Sequence, residues 1–163
     1  MGDRVSSETD FDFWIGSWDC AWEGGSGRNT ISREFGGHVL VERFEAHPPE
    51  TLLGSSFTVF SPALARWQQT WVDNQGSYWH LLGGPQGDEV ILATVEHEDG
   101  RDIGKRMVFG NVAAEGFDWR WERSEDDGVT WTEVWAIRYT RAHAENLGVS
   151  GAGSSPSGIS KQN

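Results

Sequence analysis

Short runs in which apolar and polar residues alternate, each ended by glycine or proline, constrain the fold of this chain most strongly. In residues 14–23 the even positions read Trp, Gly, Trp, Cys and Trp, while the odd positions are mostly polar. A period of two with one apolar face is typical of a half-buried β-strand. The pattern therefore predicts that the ordered part of the chain begins with a strand rather than a long helix.

Nine further runs with strand character follow the first and are separated by turn residues. They cover residues 29–35, 38–46, 52–60, 67–73, 77–82, 90–96, 105–112, 117–123 and 131–141. Two glycine-rich stretches, 24–27 and 83–87, and the segment 74–76 are predicted as turns. Sequential strands with tight turns imply antiparallel pairing, and a long sheet of this kind must close on itself or expose two edges. We therefore predict an all-β fold, an antiparallel up-and-down β-barrel of about ten strands with a short N-terminal helical turn.

The length of 163 residues fits one domain with its own core. Residues 1–10 lack a periodic pattern and are predicted to be flexible, with Asp10 capping a helical turn over residues 11–14. Residues 11–143 are assigned to the barrel. The Gly/Ser-rich tail, residues 144–163, has too few apolar side chains to pack and is predicted to be disordered. A polar N-terminus and the lack of a long apolar stretch predict a cytoplasmic location.

Acidic residues outnumber basic ones by 25 to 13, which gives a net charge of −12. This charge opposes binding to nucleic acid or to an anionic membrane, so neither is expected as a partner. A small-molecule ligand or substrate is expected instead, and association into a homodimer is left open. The single cysteine, Cys20, is interpreted as a small buried hydrophobe, with a reactive thiol as the alternative. The sequence has no metal-ligand or phosphate-binding motif, so we expect neither a metal nor a cofactor.

The segment Gly16-Ser17-Trp18 opens the first strand directly after the predicted helical turn. It resembles the G-x-W signature of lipocalins and their calycin relatives. That resemblance implies a Trp at the closed end of a barrel with an Arg from the last strand lying across it. Arg141 is the better candidate for that partner here, with Arg138 in reserve. A cation over an indole is favourable by up to about 2 kcal/mol when desolvated.

Residues 124–131 read SEDDGVTW and fit the pattern S-x-D-x-G-x-T-W at every fixed position. This segment resembles an Asp-box, a hairpin turn known from sialidases and other β proteins. The Asp side chain can accept hydrogen bonds from turn amides, and Gly supplies the positive φ. The resemblance implies a structural role, and a single copy does not support a propeller with repeated boxes.

Four segments together resemble a bacterial lipocalin-like family of unassigned function. They are FDFWIGSWD, GRNTISREFGG, the stretch from Pro62 to Asn74, and DDGVTW. The resemblance covers roughly residues 11–141 and implies a calycin-type barrel with an internal cavity. Within the wider group, nitrobindin-like barrels hold haem through a histidine near the C-terminus. His143 is the only late histidine here, and its place beyond the last strand argues against that role.

Ten tryptophans are an unusual number for a chain of this length. If alternate strand residues face a barrel interior, aromatic groups and a few polar ones line it, as in small-molecule pockets. Indole walls suit a flat or polycyclic guest, while the alternative is that the indoles simply fill the barrel. The predicted ligand-binding residues are Trp22, Gln69, Trp71, Asp73, Trp119, Trp121, Trp135 and Tyr139.

Four titratable or charged residues are candidates for catalysis inside such a barrel. Glu133 would have a raised pKa if it were buried between Trp131 and Trp135 and would then suit a general acid. His80 and His38 are candidates because histidine is the residue type best suited to acid–base work near neutral pH. Arg43 and Glu42 lie on opposite faces of one strand, and an inward Arg43 could hold a carboxylate or enolate oxygen.

The sequence thus predicts binding of a small apolar or aromatic organic molecule in a Trp-lined cavity. A cofactor-free enzyme of cyclase, isomerase or lyase type is one form of this function. A pure carrier is the alternative, and a haem protein is a less favoured one.

Overall fold

Ten antiparallel β-strands form one closed barrel in the computed structural model, which describes residues 4–143. A short 3₁₀ turn, Asp12–Trp14, precedes the barrel. The strands are β1 Gly16–Trp22, β2 Gly25–Glu34, β3 Val39–Ala46, β4 Leu53–Ser61, β5 Arg66–Asp73, β6 Tyr78–Gln86, β7 Glu89–Glu98, β8 Arg101–Ala113, β9 Gly116–Ser124 and β10 Thr132–Arg141. Each strand pairs with its neighbours in the chain, and β1 pairs with β10. The predicted all-β, up-and-down barrel of about ten strands is confirmed, whereas the predicted tail at 144–163 lies outside the described residues.

Two glycine clusters that were predicted as turns belong largely to strands. Gly25 to Gly27 lie in β2, and Gly83 and Gly84 lie in β6. A Cβ atom on Gly83 would stand 1.9 Å from the carbonyl oxygen of Ile91 on the next strand. Glycine is therefore required at position 83 because the backbones of two strands approach closely. Glycine-rich segments occur both at such positions and in turns, so the sequence did not distinguish the two.

The end of the barrel where β1 begins and β10 finishes, called the lower end here, is closed around Trp18. The guanidinium of Arg141 lies 4.2 Å from the centre of the Trp18 ring. Arg141 also donates hydrogen bonds to the carbonyl oxygens of Ile15, at 3.2 Å, and Ala114, at 3.1 Å. The predicted pairing of Arg141 with Trp18 is confirmed, while Arg138 forms an ion pair with Asp118.

Asp10 does not cap the N-terminal turn as predicted. The turn has no side-chain cap, and Asp10 is buried instead. Its carboxylate accepts hydrogen bonds from the backbone N–H of Ser7, at 2.7 Å, and from the indole N–H of Trp67 on β5, at 3.2 Å. Asp10 therefore fastens the segment before the barrel to the barrel wall.

The Asp-box residues form the hairpin between β9 and β10, as the sequence predicts. Asp126 accepts hydrogen bonds from the backbone N–H of Thr130, at 2.8 Å, and from the hydroxyl of Ser124, at 2.8 Å. Gly128 takes a φ of +81°. Trp131 donates its indole N–H to the carbonyl oxygen of Gly128 at 3.1 Å, so the loop is held by its own side chains.

The lower half of the barrel is filled by fully buried rings. Phe11 makes edge-to-face contacts with Trp67 and Phe109, with ring centres 5.0 Å and 5.1 Å apart. Trp14 and Phe117 complete this aromatic plug. Aromatic side chains thus fill the lower half of the barrel, as the alternative interpretation predicted for the whole interior. Above this plug the barrel encloses a cavity.

Candidate ligand cavity

A cavity of about 330 Å³ occupies the barrel above the aromatic plug. This volume lies at the small end of the range found for ligand pockets in proteins. The wall is mainly aromatic, and its polar groups are few. The lining residues are Trp14, Glu42, Phe44, Leu52, Trp71, Asp73, Gln75, Ser77, Trp79, Met107, Phe109, Trp119, Trp121, Trp135, Ile137 and Tyr139.

The mouth of the cavity lies at the upper end, between the loop before β4 and the loop between β5 and β6. Leu52, Gln75 and Ser77 line the cavity from these loops, together with Asp73 at the end of β5. Partial desolvation alone would raise the pKa of Asp73. Hydrogen bonds from the Trp71 indole N–H, at 2.9 Å, and from the backbone N–H groups of Ser77 and Gln75 outweigh it and lower that pKa. Asp73 is therefore an ionised group at the mouth.

Glu42 on β3 is the only deeply buried carboxyl among the residues that line the cavity. It is 6% exposed. Its Oε1 accepts a hydrogen bond from the amide of Asn29 at 2.7 Å, and its Oε2 accepts one from the hydroxyl of Ser56 at 2.5 Å. Burial raises the pKa of Glu42, and these two hydrogen bonds only partly offset the effect.

The polar contacts of Glu42 continue through Asn29 on β2 to Tyr139 on β10. The Asn29 amide also donates to the Tyr139 hydroxyl oxygen at 3.0 Å. Burial raises the pKa of Tyr139 and of the Cys20 thiol, so both groups are neutral near pH 7. The interpretation of Cys20 as a buried, unreactive residue is therefore supported, because a reactive cysteine needs the thiolate form.

Six of the eight predicted ligand-binding residues line the cavity. They are Trp71, Asp73, Trp119, Trp121, Trp135 and Tyr139. Trp22 does not line it and packs edge-to-face behind Trp135, with ring centres 5.3 Å apart. Gln69 is buried on the inner face of β5 and donates a hydrogen bond to the hydroxyl of Thr58 at 2.9 Å, outside the cavity lining.

Glu133 does not point into the barrel, so its predicted inward position is wrong. A β-bulge interrupts the register of β10 between Glu133 and Trp135. Glu133 therefore pairs with Glu122, which forms an ion pair with Arg106, and its side chain is exposed. A bulge inserts one extra residue into a strand and so shifts the alternation of inward and outward side chains by one position. Glu133, which strict alternation places on the same face as Trp135, therefore faces outward.

The other three candidates for catalysis are also exposed and lie outside the cavity lining. His80 alternates with the cavity residue Trp79 on β6 and therefore faces outward. His38 directly follows a second 3₁₀ turn, Phe35–Gly37, which precedes β3. Arg43 faces outward because its neighbour Glu42 takes the inward position. The three residues therefore do not form a common site inside the barrel.

Glu42 is the functional candidate that the sequence reasoning did not select. Both faces of β3 carry apolar residues near its start, so the count of hydrophobic residues did not decide the orientation. The charges did carry a signal: Arg43 and Glu45 share one face, which leaves Glu42 with Leu40 and Phe44 on the other. A strand face with two charges is the better choice for the solvent side.

Haem does not fit the residues present. His143 is exposed at the lower end, with its Nε2 3.2 Å from a carboxylate oxygen of Glu115. None of the described histidines lines the cavity. Within residues 4–143, no three His, Cys, Asp or Glu side chains converge in a way that could hold a metal ion.

A scan against protein-family models and a search of curated proteins found no match to this chain. No helix within the described part of the chain combines the length and the apolar character needed to cross a bilayer.

Proposed function

We propose that the barrel binds a small apolar or aromatic organic molecule in its upper cavity. One observation carries the proposal: packed rings fill the lower half, while the upper half keeps about 330 Å³ of space walled by six tryptophans. Indole faces stabilise flat guests by stacking and by burial of apolar area. The ring of Trp119 lies within 8° of parallel to that of Trp121, so two neighbouring wall groups present similarly oriented faces.

The chain is further proposed to be a calycin-type barrel. The Trp18–Arg141 contact at the lower end supports this assignment, together with the G-x-W segment that begins β1. The closed antiparallel topology is consistent with it. In this proposal the lower end is structural and the upper end admits the guest.

Uptake into the cavity can be tested with one substitution placed at two adjacent positions. Leu52 lines the cavity near its mouth, whereas Leu53 is 49% exposed. We expect Leu52→Trp to occupy space that the guest needs and to weaken binding by at least about tenfold, which is about 1.4 kcal/mol. Leu53→Trp should bind like the wild type. The probe is Prodan, an uncharged naphthalene dye whose emission shifts to the blue in apolar surroundings.

Equal affinity of the two variants for the dye would place the dye outside the cavity. Absence of any blue shift with the wild-type protein would remove the binding proposal for guests of this size. Far-ultraviolet circular dichroism of both variants serves as the control for folding.

A second candidate function is acid–base catalysis without a cofactor, of cyclase, isomerase or lyase type. The observation that favours it is Glu42, a carboxyl with a raised pKa that lines an apolar cavity. A carboxylate deprived of water is a stronger base than the same group in solution. In this proposal Glu42 takes or gives a proton at one carboxyl oxygen, while Asn29 and Ser56 hold the group in place.

Proton abstraction by Glu42 can be tested with nitrobenzisoxazole, whose ring opens when a base removes its C–H proton and the N–O bond breaks. We expect the coloured cyanonitrophenolate product to form faster with the wild type than with Glu42→Gln. The rate should rise with pH as Glu42 ionises. Glu45→Gln is the matched control, because Glu45 is exposed on the same strand. Equal rates for all three proteins would exclude Glu42 as a base for this probe.

A further inference from the structure

We propose, on the basis of the binding function above, that the guest is an organic cation, an aromatic compound that carries a protonated alkylamine or a quaternary ammonium group. In this arrangement the positive group lies against indole faces, and Glu42 supplies the opposite charge. The proposal stands on three features of the described residues: the composition of the wall, the isolation of one buried carboxyl, and the charge of the mouth.

The wall consists of the side chains that attract cations most strongly. Six tryptophans line the cavity, and indole binds a cation over its face better than the other aromatic side chains do. One wall indole already holds a cation of the protein itself. The ammonium of Lys105, which is not among the lining residues, lies 4.5 Å from the ring centre of Trp79. Glu96 and Glu98 bind that ammonium, so a cation beside this wall is accompanied by carboxylates.

Glu42 is a buried carboxyl that forms no ion pair with a basic side chain within residues 4–143. Its two hydrogen-bond donors, Asn29 and Ser56, are neutral. The ionisable side chains that line the cavity are Glu42, Asp73 and Tyr139, and no Lys, Arg or His is present in the described lining. A buried carboxylate is costly unless an opposite charge accompanies it. A cationic guest would provide that charge, and a protonated amine could also donate hydrogen bonds to the carboxylate lone pairs that Asn29 and Ser56 leave free.

The charge of the mouth and of the whole molecule favours the same guest. Asp73 lies at the mouth, and its hydrogen bonds from Trp71 and the following turn favour its ionised form. The chain carries a net charge of −12. Such a field raises the local concentration of cations and opposes anions. An anionic guest would also meet Glu42 without any basic side chain in the described lining to compensate.

The test compares two guests of the same shape that differ only in charge. Benzyltrimethylammonium is a cation, and neopentylbenzene is its neutral isostere with carbon in place of nitrogen. We expect the wild-type protein to bind the cation at least about tenfold more tightly at pH 8, measured by quenching of tryptophan fluorescence. Glu42→Gln should reduce this preference by at least about tenfold. Glu45→Gln, which removes an exposed carboxylate from the same strand, should retain it.

The pH dependence of binding by the wild-type protein tests the same proposal without relying on the folding of a variant. The groups that face Glu42 are Asn29, Ser56, Tyr139 and Cys20, and the two titratable ones stay neutral from about pH 5 to about pH 9 because their pKa values are raised. Asp73, at the mouth, is ionised over the same range. Affinity for the cation should therefore increase with pH as Glu42 ionises, while affinity for the isostere should stay constant.

Three results would overturn the inference. Equal or tighter binding of the neutral isostere, with Prodan still taken up, would refute the cation but leave the binding function standing. A preference that survives in Glu42→Gln, or that does not change with pH, would remove Glu42 as the counter-charge. Failure to bind either guest or Prodan would contradict both the inference and the proposed function.

Discussion

Glu42 takes an inward position that apolar residues occupy in most barrels. Its neighbours on the same face of β3, Leu40 and Phe44, are both buried. The cost of placing a carboxyl there is limited because the group can remain protonated and accepts two hydrogen bonds. A residue that costs stability at its own position, and that lines a cavity, is a candidate for function rather than for folding.

Replacement of Glu42 by Gln should change the pH dependence of stability. The pKa of Glu42 is raised above its ordinary value of 4.5 in the folded protein. The folded state thus keeps a proton that the unfolded state has released, so wild-type stability falls as pH rises from this value to the folded-state pKa. The slope from this single group reaches up to about 1.4 kcal/mol per pH unit. Urea denaturation of Glu42→Gln should lack this decline, so the variant gains on the wild type as pH increases.

The control for this measurement is Glu45→Gln, which should follow the wild-type curve. Parallel stability curves for Glu42→Gln and the wild type between about pH 5 and about pH 8 would show that Glu42 has the same pKa in both states.

A single element of the barrel can be predicted from its own sequence where hydrogen bonds among neighbouring residues fix its turn. The hairpin between β9 and β10 is held by Asp126, and hydrogen bonds from Thr130 and Ser124 lower the pKa of that carboxyl. β10 departs from simple alternation only a few residues later, at the bulge between Glu133 and Trp135. The turn was predictable because its residues bond to one another. The bulge was not, because it depends on the register with β9.

Replacement of Gly128 by Ala tests the hairpin at the level of one element. The φ of Gly128 is +81°, and a Cβ atom there would stand 3.4 Å from the Trp131 ring, which is an ordinary contact. The backbone conformation is therefore the main cost, and we expect the free energy of unfolding to fall by about 1–2 kcal/mol. Val129→Ala, at a position that is 80% exposed, should change it by less than about 0.5 kcal/mol. Equal stability of Gly128→Ala and the wild type would contradict the assigned turn.

Closure of the whole barrel depends on the meeting of its first and last strands. Arg141, at the end of β10, bridges the 3₁₀ turn, the start of β1 and the loop before β9 through one side chain. The planar guanidinium can lie flat against Trp18 and donate hydrogen bonds from its edges, a geometry that the compact ammonium of lysine does not have. Arg141 thereby joins the end of β10 to two other parts of the chain, residues 13–15 before β1 and Ala114 before β9.

We expect Arg141→Ala to lower the free energy of unfolding by about 2–3 kcal/mol, because the cation–π contact and hydrogen bonds from a charged group are lost together. Arg141→Lys should cost less than Arg141→Ala. Arg138→Ala is the matched control on the same strand, where an exposed ion pair with Asp118 contributes less than about 1 kcal/mol. Guanidinium denaturation measures all three variants. A larger loss for Arg138→Ala than for Arg141→Ala would contradict the assigned role of the lower end.

The resemblance of Gly16-Ser17-Trp18 to the lipocalin signature predicted the contact of Trp18 with Arg141. The sequence by itself determined the strands, their antiparallel order and the Asp-box hairpin. These features rest on alternation, turn residues and a short motif, whose physical causes act over a few neighbouring residues. Only the tertiary structure decided that Glu42 faces inward, that Glu133 faces outward, and that the upper half of the barrel stays hollow. Which face of a strand points inward depends on its hydrogen-bond register with the neighbouring strands. The size of the cavity depends on how side chains from all ten strands pack against one another. Neither quantity is a property of any one segment.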